Sequence, residues 1–147
     1  MLLTEHEPAN GILDTSTVIL LPRITDPSVL PSRATITAVT LAELSVGPHV
    51  TSDELEKARR QSHVQQAEAD FDPLPFDAAA ARKFGMVAAE LRRTGRKPTA
   101  RAYDALIAAI ALANELPVHT VNPRDFEGIS GLEVVAVPHP DTTNLAG

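Results

Sequence analysis

Four acids in this chain sit where a carboxylate is expensive. Asp14 follows the apolar pair Ile12-Leu13 and precedes Thr15-Ser16-Thr17. Glu43 is the only charged residue between Arg33 and Asp53. Asp104 opens the stretch 101–114, in which every residue from Ala105 to Ala113 is apolar. Asp125 lies just past Val118-His119-Thr120-Val121, with Asn122 beside it. A carboxylate entering a dry interior costs several kcal/mol unless it is hydrogen-bonded, paired or bound to a metal. Carboxylates brought together repel one another and stay partly protonated unless a cation joins them. Hard divalent ions take oxygen ligands, and Mg²⁺ keeps several waters besides one or two carboxylates. Such ions activate water and stabilise in-line attack on a phosphodiester. Each acid also has a structural reading. Asp104 is well placed to cap a helix, where the dipole and free N–H groups favour an acid. Glu43 needs only to point to solvent.

The elements that must position these acids follow from local pattern. Residues 12–14 read as the end of a buried strand, and Thr15 to Thr17 as N-caps of a helix that stops before Pro22. That places Asp14 at the carboxyl end of a strand, the edge where open parallel sheets bind ligands. Residues 34–37 alternate and are β-branched, which predicts a second strand, followed by a short helix over 39–47 that carries Glu43 and stops at Gly47-Pro48. A long polar helix follows over 52–69, with Ser52 as its cap. Two prolines make 71–76 a connector or a short edge segment. Asp77 caps a helix to about Thr94, ended by Gly95, with Phe84, Val87, Ala88 and Leu91 on one face. The apolar helix 101–114 comes next, then strands at 118–121 and 132–137. Strands alternating with helices predict an α/β fold with a mainly parallel sheet, each acid near a strand-to-helix junction. The expected division is a tail over 1–10, one domain over 11–137 and a Pro-rich tail over 138–147.

Composition narrows the function classes. The chain has 147 residues, an aliphatic core with four Phe, one Tyr and no Trp, and no Cys, so disulfides and thiolate metal sites are excluded. Absence of Cys fits a reducing cytoplasm. The nine-residue apolar run 105–113 is about half of what a membrane span needs, and the first residues carry no basic, apolar leader pattern. The five His are scattered without zinc-like spacing, His119 alone lying near the acids. No G-x-S-x-G elbow, Walker loop or G-x-G-x-x-G occurs. Position 16 is Ser, where a haloacid-dehalogenase-like phosphatase would need a second Asp. Net charge is −6, yet seven of the thirteen Lys and Arg fall between 82 and 101 with Glu90 as the only acid there. A local basic band is what phosphate binding needs, and it is equally what a solvated helix face looks like.

Four segments together resemble the successive motifs of PIN-domain ribonucleases, most of all the VapC-type toxins of bacterial toxin–antitoxin pairs. They are Ile12-Leu-Asp14-Thr-Ser16, Ala42-Glu43-Leu-Ser-Val-Gly47, Tyr103-Asp104-Ala-Leu-Ile-Ala-Ala109 and Thr120-Val-Asn122-Pro-Arg-Asp125-Phe126. The resemblance implies a three-layer α/β/α fold around a mainly parallel sheet. It implies that Asp14, Glu43, Asp104 and Asp125 form a metal-binding quartet for Mg²⁺ or Mn²⁺, the fourth place contested by Asn122, here taken as support. Thr15, Ser16 and Thr120 would orient water, phosphate or carboxylates. Arg92, Arg93, Arg96, Lys97 and Arg101 would contact RNA. The implied reaction is Mg²⁺-dependent RNA hydrolysis by water, leaving a 5′-phosphate and a 3′-hydroxyl. The implied partners are a second copy of the chain and a VapB-type antitoxin whose peptide blocks the site, often with an inserted Arg. The competing class is a PIN-fold module that binds RNA or protein without cleaving, against which four retained costly acids argue.

Overall fold

The computed structural model describes residues 9–96 and 101–141. Its centre is a four-stranded, all-parallel sheet in the order β2-β1-β3-β4, formed by Asn10–Leu13 (β1), Arg33–Thr35 (β2), Val118–Thr120 (β3) and Val134–Ala136 (β4). Among the described residues five α-helices surround it: α1 (Thr15–Leu20), α2 (Ala38–Val46), α3 (Glu54–Asp70), α4 (Ala78–Arg93) and α5 (Ala102–Asn114).

Strand alternation divides the core. Ile12 faces one cluster with Val87 and Leu91 of α4 and Ala105, Ile107, Ala108, Ile110 and Ala111 of α5. Its neighbour Leu13 faces the other, with Val18, Ile36, Leu44 and Ala67 from the α1–α3 side. Successive side chains of a strand point to opposite faces, so one short strand supplies both hydrophobic layers. Helices therefore cover both faces of the sheet, as the α/β/α reading requires. The run 105–113 is apolar all round because α5 is enclosed: Ile107, Ala108, Ala109, Ile110 and Ala111 have no solvent exposure.

The element boundaries shift from expectation in ways that local chemistry explains. β1 begins at Asn10, and the Ala9 carbonyl accepts from the Arg33 N–H, so the ninth and tenth residues belong to the sheet rather than to a tail. The rest of the expected N-terminal tail lies outside the described residues, as do 142–147 of the C-terminal one. The cap of α1 is Asp14 itself, through the Thr17 N–H, in place of the hydroxyls of Thr15 to Thr17. Likewise Asp53 caps α3 where Ser52 was expected, because its carboxylate accepts from two backbone N–H groups, those of Leu55 and Glu56. Thr37 leaves the second strand to cap α2 through the Thr40 N–H. The connector at 71–76 contributes one parallel bridge, Leu74 to Thr37.

Two features of this topology bear on function. Chain order reverses direction across the sheet between β1 and β3, and parallel sheets bind ligands in the crevice beyond the strand ends at such a switch point. α5 precedes β3 and so runs back from the carboxyl edge of the sheet, which leaves its first turn at that edge.

Candidate active site

Asp14 stands immediately past β1, almost wholly buried, and accepts four hydrogen bonds. Oδ1 takes the Thr17 hydroxyl at 2.5 Å and the Thr17 N–H at 3.3 Å. Oδ2 takes the hydroxyls of Ser16 and Thr120, both at 2.9 Å. An ionised carboxylate offers about four acceptor positions, so these donors saturate it and make a buried charge tolerable. Two of the donors are held in turn by backbone. Thr17 Oγ1 accepts from the Val121 N–H and Thr120 Oγ1 from the Asn122 N–H, which ties the ends of β1 and β3 together across the crevice.

Glu43 projects from α2 and accepts the Thr15 hydroxyl at 2.5 Å. The Thr15 proton is spent there, so the buried Thr40 hydroxyl, 2.9 Å from Thr15 Oγ1, must be the donor of that second bond. A chain of hydroxyls thus runs from α2 to α1 and back to Glu43. Burial raises the Glu43 carboxyl above its ordinary range despite the Thr15 bond, and the charge of Asp14 adds to the rise.

Asp104 occupies the first turn of α5 but does not cap it. Its N-cap residue Arg101 gives no side-chain cap, and among the described residues Asp104 accepts no hydrogen bond. The hydrogen-bonded cap is therefore not formed, while the helix dipole still favours an acid in this first turn. Its carboxyl is pushed up to about 6, first by burial, then by the charges of Asp125, Asp14 and Glu43, against a smaller opposing effect of Arg101. The quartet is thus electrostatically one cluster. Asp104 differs from the rest in lying at a helix-to-helix junction, since α4 and not a strand precedes it.

Asp125 lies in the 3-10 turn Pro123–Phe126, where Oδ1 accepts from Arg101 Nη1 at 2.6 Å. Asn122 is exposed and gives no side-chain cap to that turn. Its backbone N–H, not its amide, is what the Thr120 hydroxyl engages.

Among the described residues the donor set of this crevice is all oxygen, carboxylate and hydroxyl, with the Arg101 side chain as the cation set against four acids. That chemistry fits a hard divalent cation. The carboxylates do not form a closed cage as they stand: among the described residues no three His, Asp or Glu make a metal-holding group. With only like charges between them they lean instead on hydroxyls and on Arg101. Asp104, the acid without a donor, is the one whose charge most needs a positive neighbour.

Of the basic residues, Arg92 and Arg93 are exposed in the last turn of α4, where the helix dipole favours cations. Arg96 instead turns onto the 123–127 segment, donating to the Glu127 carbonyl at 2.8 Å and pairing with its carboxylate at 3.2 Å. Arg101 is committed to Asp125. Lys97 lies outside the described residues. His119 keeps only its backbone near the acids. Its ring lies over Gly11, where an added Cβ would sit 2.3 Å from the ring, and its buried Nδ1 has no partner among the described residues. Thr17 and Thr40, both fully buried, were not singled out by sequence reasoning as holders of the acids; a buried hydroxyl beside a buried acid is visible only once both are known to be buried.

The family model described as PIN domain matches residues 12–132 of the chain. Ribonuclease VapC5 of Mycobacterium tuberculosis is 36% identical over 132 residues, which are 88% of this chain and 95% of that protein. The tRNA(fMet)-specific endonuclease VapC of Shigella flexneri is 35% identical over 97 residues, 66% of this chain and 70% of that one. The crystal structure of VapBC-5, a member of the VapBC family of toxin–antitoxin systems from M. tuberculosis, superposes with a TM-score of 0.76 at 35% identity, covering 88% of this chain and 100% of that chain.

Proposed function

The chain belongs to the PIN domain family, within its VapC ribonucleases, and from that premise we propose that it is a divalent-cation-dependent endoribonuclease, the toxin of a VapBC-type toxin–antitoxin pair. The observation that carries this reading is the crevice between β1 and β3. There Asp104 accepts no hydrogen bond among the described residues, and its carboxyl is raised to about 6 by burial and three further acids.

Asp14, Glu43, Asp104 and Asp125 would hold Mg²⁺ or Mn²⁺, which when bound supplies an activated water and neutralises charge gathering on the phosphate. The chain's own part is positional. Ser16, Thr17 and Thr120 hold the Asp14 carboxylate in place past the end of β1. Thr15, backed by Thr40, aims Glu43 from the facing helix. Asn122 stands exposed at the rim, free to support the phosphate or the fourth ligand position. Arg92 and Arg93 offer charges to the RNA backbone. Water adds to phosphorus, the bond to the 3′ oxygen breaks, and the products carry a 5′-phosphate and a 3′-hydroxyl. The same reading includes a homodimer, a VapB-type antitoxin as partner and action in the cytoplasm. No helix among the described residues is long and apolar enough to cross a membrane.

The test is cleavage of structured RNA, transfer RNA included, by the purified protein in Mg²⁺ or Mn²⁺. Chelator is expected to abolish it, and Asp104→Asn to slow it by on the order of 100-fold or more while the protein stays folded. A folded Asp104→Asn that cleaves as fast as the wild type overturns the assignment. Absence of cleavage by wild type with either ion would favour the non-catalytic RNA- or protein-binding module.

A further inference from the structure

We propose that Arg101 is a resident counterion of the acidic crevice and that a divalent cation must displace it from Asp125 in order to bind. The inference rests on the reading of the crevice as a cation site.

Arg101 sits at the N-cap position of α5 yet contributes no side-chain cap. Its guanidinium instead reaches across to the 3-10 turn after β3, with Nη1 2.6 Å from Asp125 Oδ1 and a longer contact of 3.5 Å to the Arg124 carbonyl. Arg101 stands three positions before Asp104 in the chain, at the residue that opens the helix. Among the described residues it is the cationic side chain that pairs with a carboxylate of the quartet. Arg96, the other arginine that reaches this turn, is spent on Glu127. Among the described residues the Arg101–Asp125 pair is therefore the contact that brings a positive charge onto the quartet.

A dication and a guanidinium cannot share this crevice without strong repulsion, because both seek the same carboxylates in a partly desolvated place. Both side chains of the pair are about one-third exposed, at 34% and 35%, so Arg101 has solvent to move into. Occupancy by the cation and closure of the pair are linked equilibria. Each opposes the other by the same free energy. The device keeps Asp125 compensated when cation is scarce and makes cation affinity depend on a residue that is not a ligand.

The experiment is Mn²⁺ binding to the full-length protein without RNA, read by calorimetry or by the spin-resonance signal of free Mn²⁺. The proteins are wild type, Arg101→Gln, Asp125→Asn and the double variant, each checked for folding by circular dichroism. Arg101→Gln is expected to tighten Mn²⁺ binding by about three- to tenfold, and the gain is expected to shrink to nearly nothing in the Asp125→Asn background. Arg101→Lys, which keeps the charge but not the fork, is expected to fall between. Unchanged or weaker binding by folded Arg101→Gln overturns the inference. So does an equal gain in both backgrounds, which would mean a diffuse field and no displacement at Asp125. Failure of the wild type to bind Mn²⁺ at all would instead remove the cation-dependent reading beneath it.

Discussion

At the residue scale Asp104 separates stability from function. Its carboxyl titrates at about 6 in the fold against 3.8 for the free side chain. Below pH 3.8 it is protonated folded or unfolded. Between there and about 6 the folded state holds a proton that the unfolded chain has lost, so stability falls as pH rises through that window. Without divalent cation, the wild type is therefore expected to lose stability relative to Asp104→Asn from about pH 4 to 6. Screening of a half-exposed group holds the difference at pH 7 to about 1 kcal/mol in favour of the variant. Urea melts of both proteins at several pH values measure it. Parallel stability curves would mean that Asp104 is not held among like charges. The same substitution is expected to cost activity, so one change should move stability and catalysis in opposite directions, as strained functional sites do.

At the scale of elements, α5 carries the site at one end and a strained stop at the other. Its interior is a block of Ala and Ile with no exposure, which fixes the first turn rigidly against the sheet. Its C-terminus closes with the Leu116 N–H on the Ala111 carbonyl, and Glu115 takes the left-handed conformation at φ 54°. That conformation suits Gly and costs an L-residue roughly 1–2 kcal/mol. Glu115 is exposed, so Glu115→Gly removes the strain without emptying the core. The expected gain is ~0.5–1 kcal/mol, seen as a melting temperature about 2–3 °C higher. A lower melting temperature would show that the Glu side chain does more there than the backbone costs.

At the scale of the molecule, charge is sorted by place. The acids gather at the carboxyl edge of the sheet, and exposed basic residues stand at the end of α4, although the chain as a whole carries −6. Charge removal at Arg92 and Arg93 together is expected to weaken RNA binding and to flatten its salt dependence. Each lost single-strand phosphate contact should take about 0.7 off the slope of log K against log salt. Titrations at three or more salt concentrations give that slope. An unchanged slope would return both residues to the role of helix-end charges that merely complement the dipole.

The acids themselves, their order along the chain and the helices and strands that carry them were legible in the sequence. Those properties depend on local pattern: an all-apolar run, a hydroxyl cluster after a short strand, an N-x-x-D-F segment after another. Local pattern also misled where two capable groups compete, as with Asp14 over the hydroxyls that follow it and Asp53 over Ser52. Three things waited for the tertiary structure. Strand order placed Asp14 and Asp125 on the two sides of one crevice. Three of the acids drew a partner across the chain: Thr120 to Asp14 over 106 residues, Thr15 to Glu43 over 28 and Arg101 to Asp125 over 24. And Asp104 lost the capping role that its position suggested, because whether a carboxylate bends back to its own helix or faces three other acids is decided by what the fold brings opposite it.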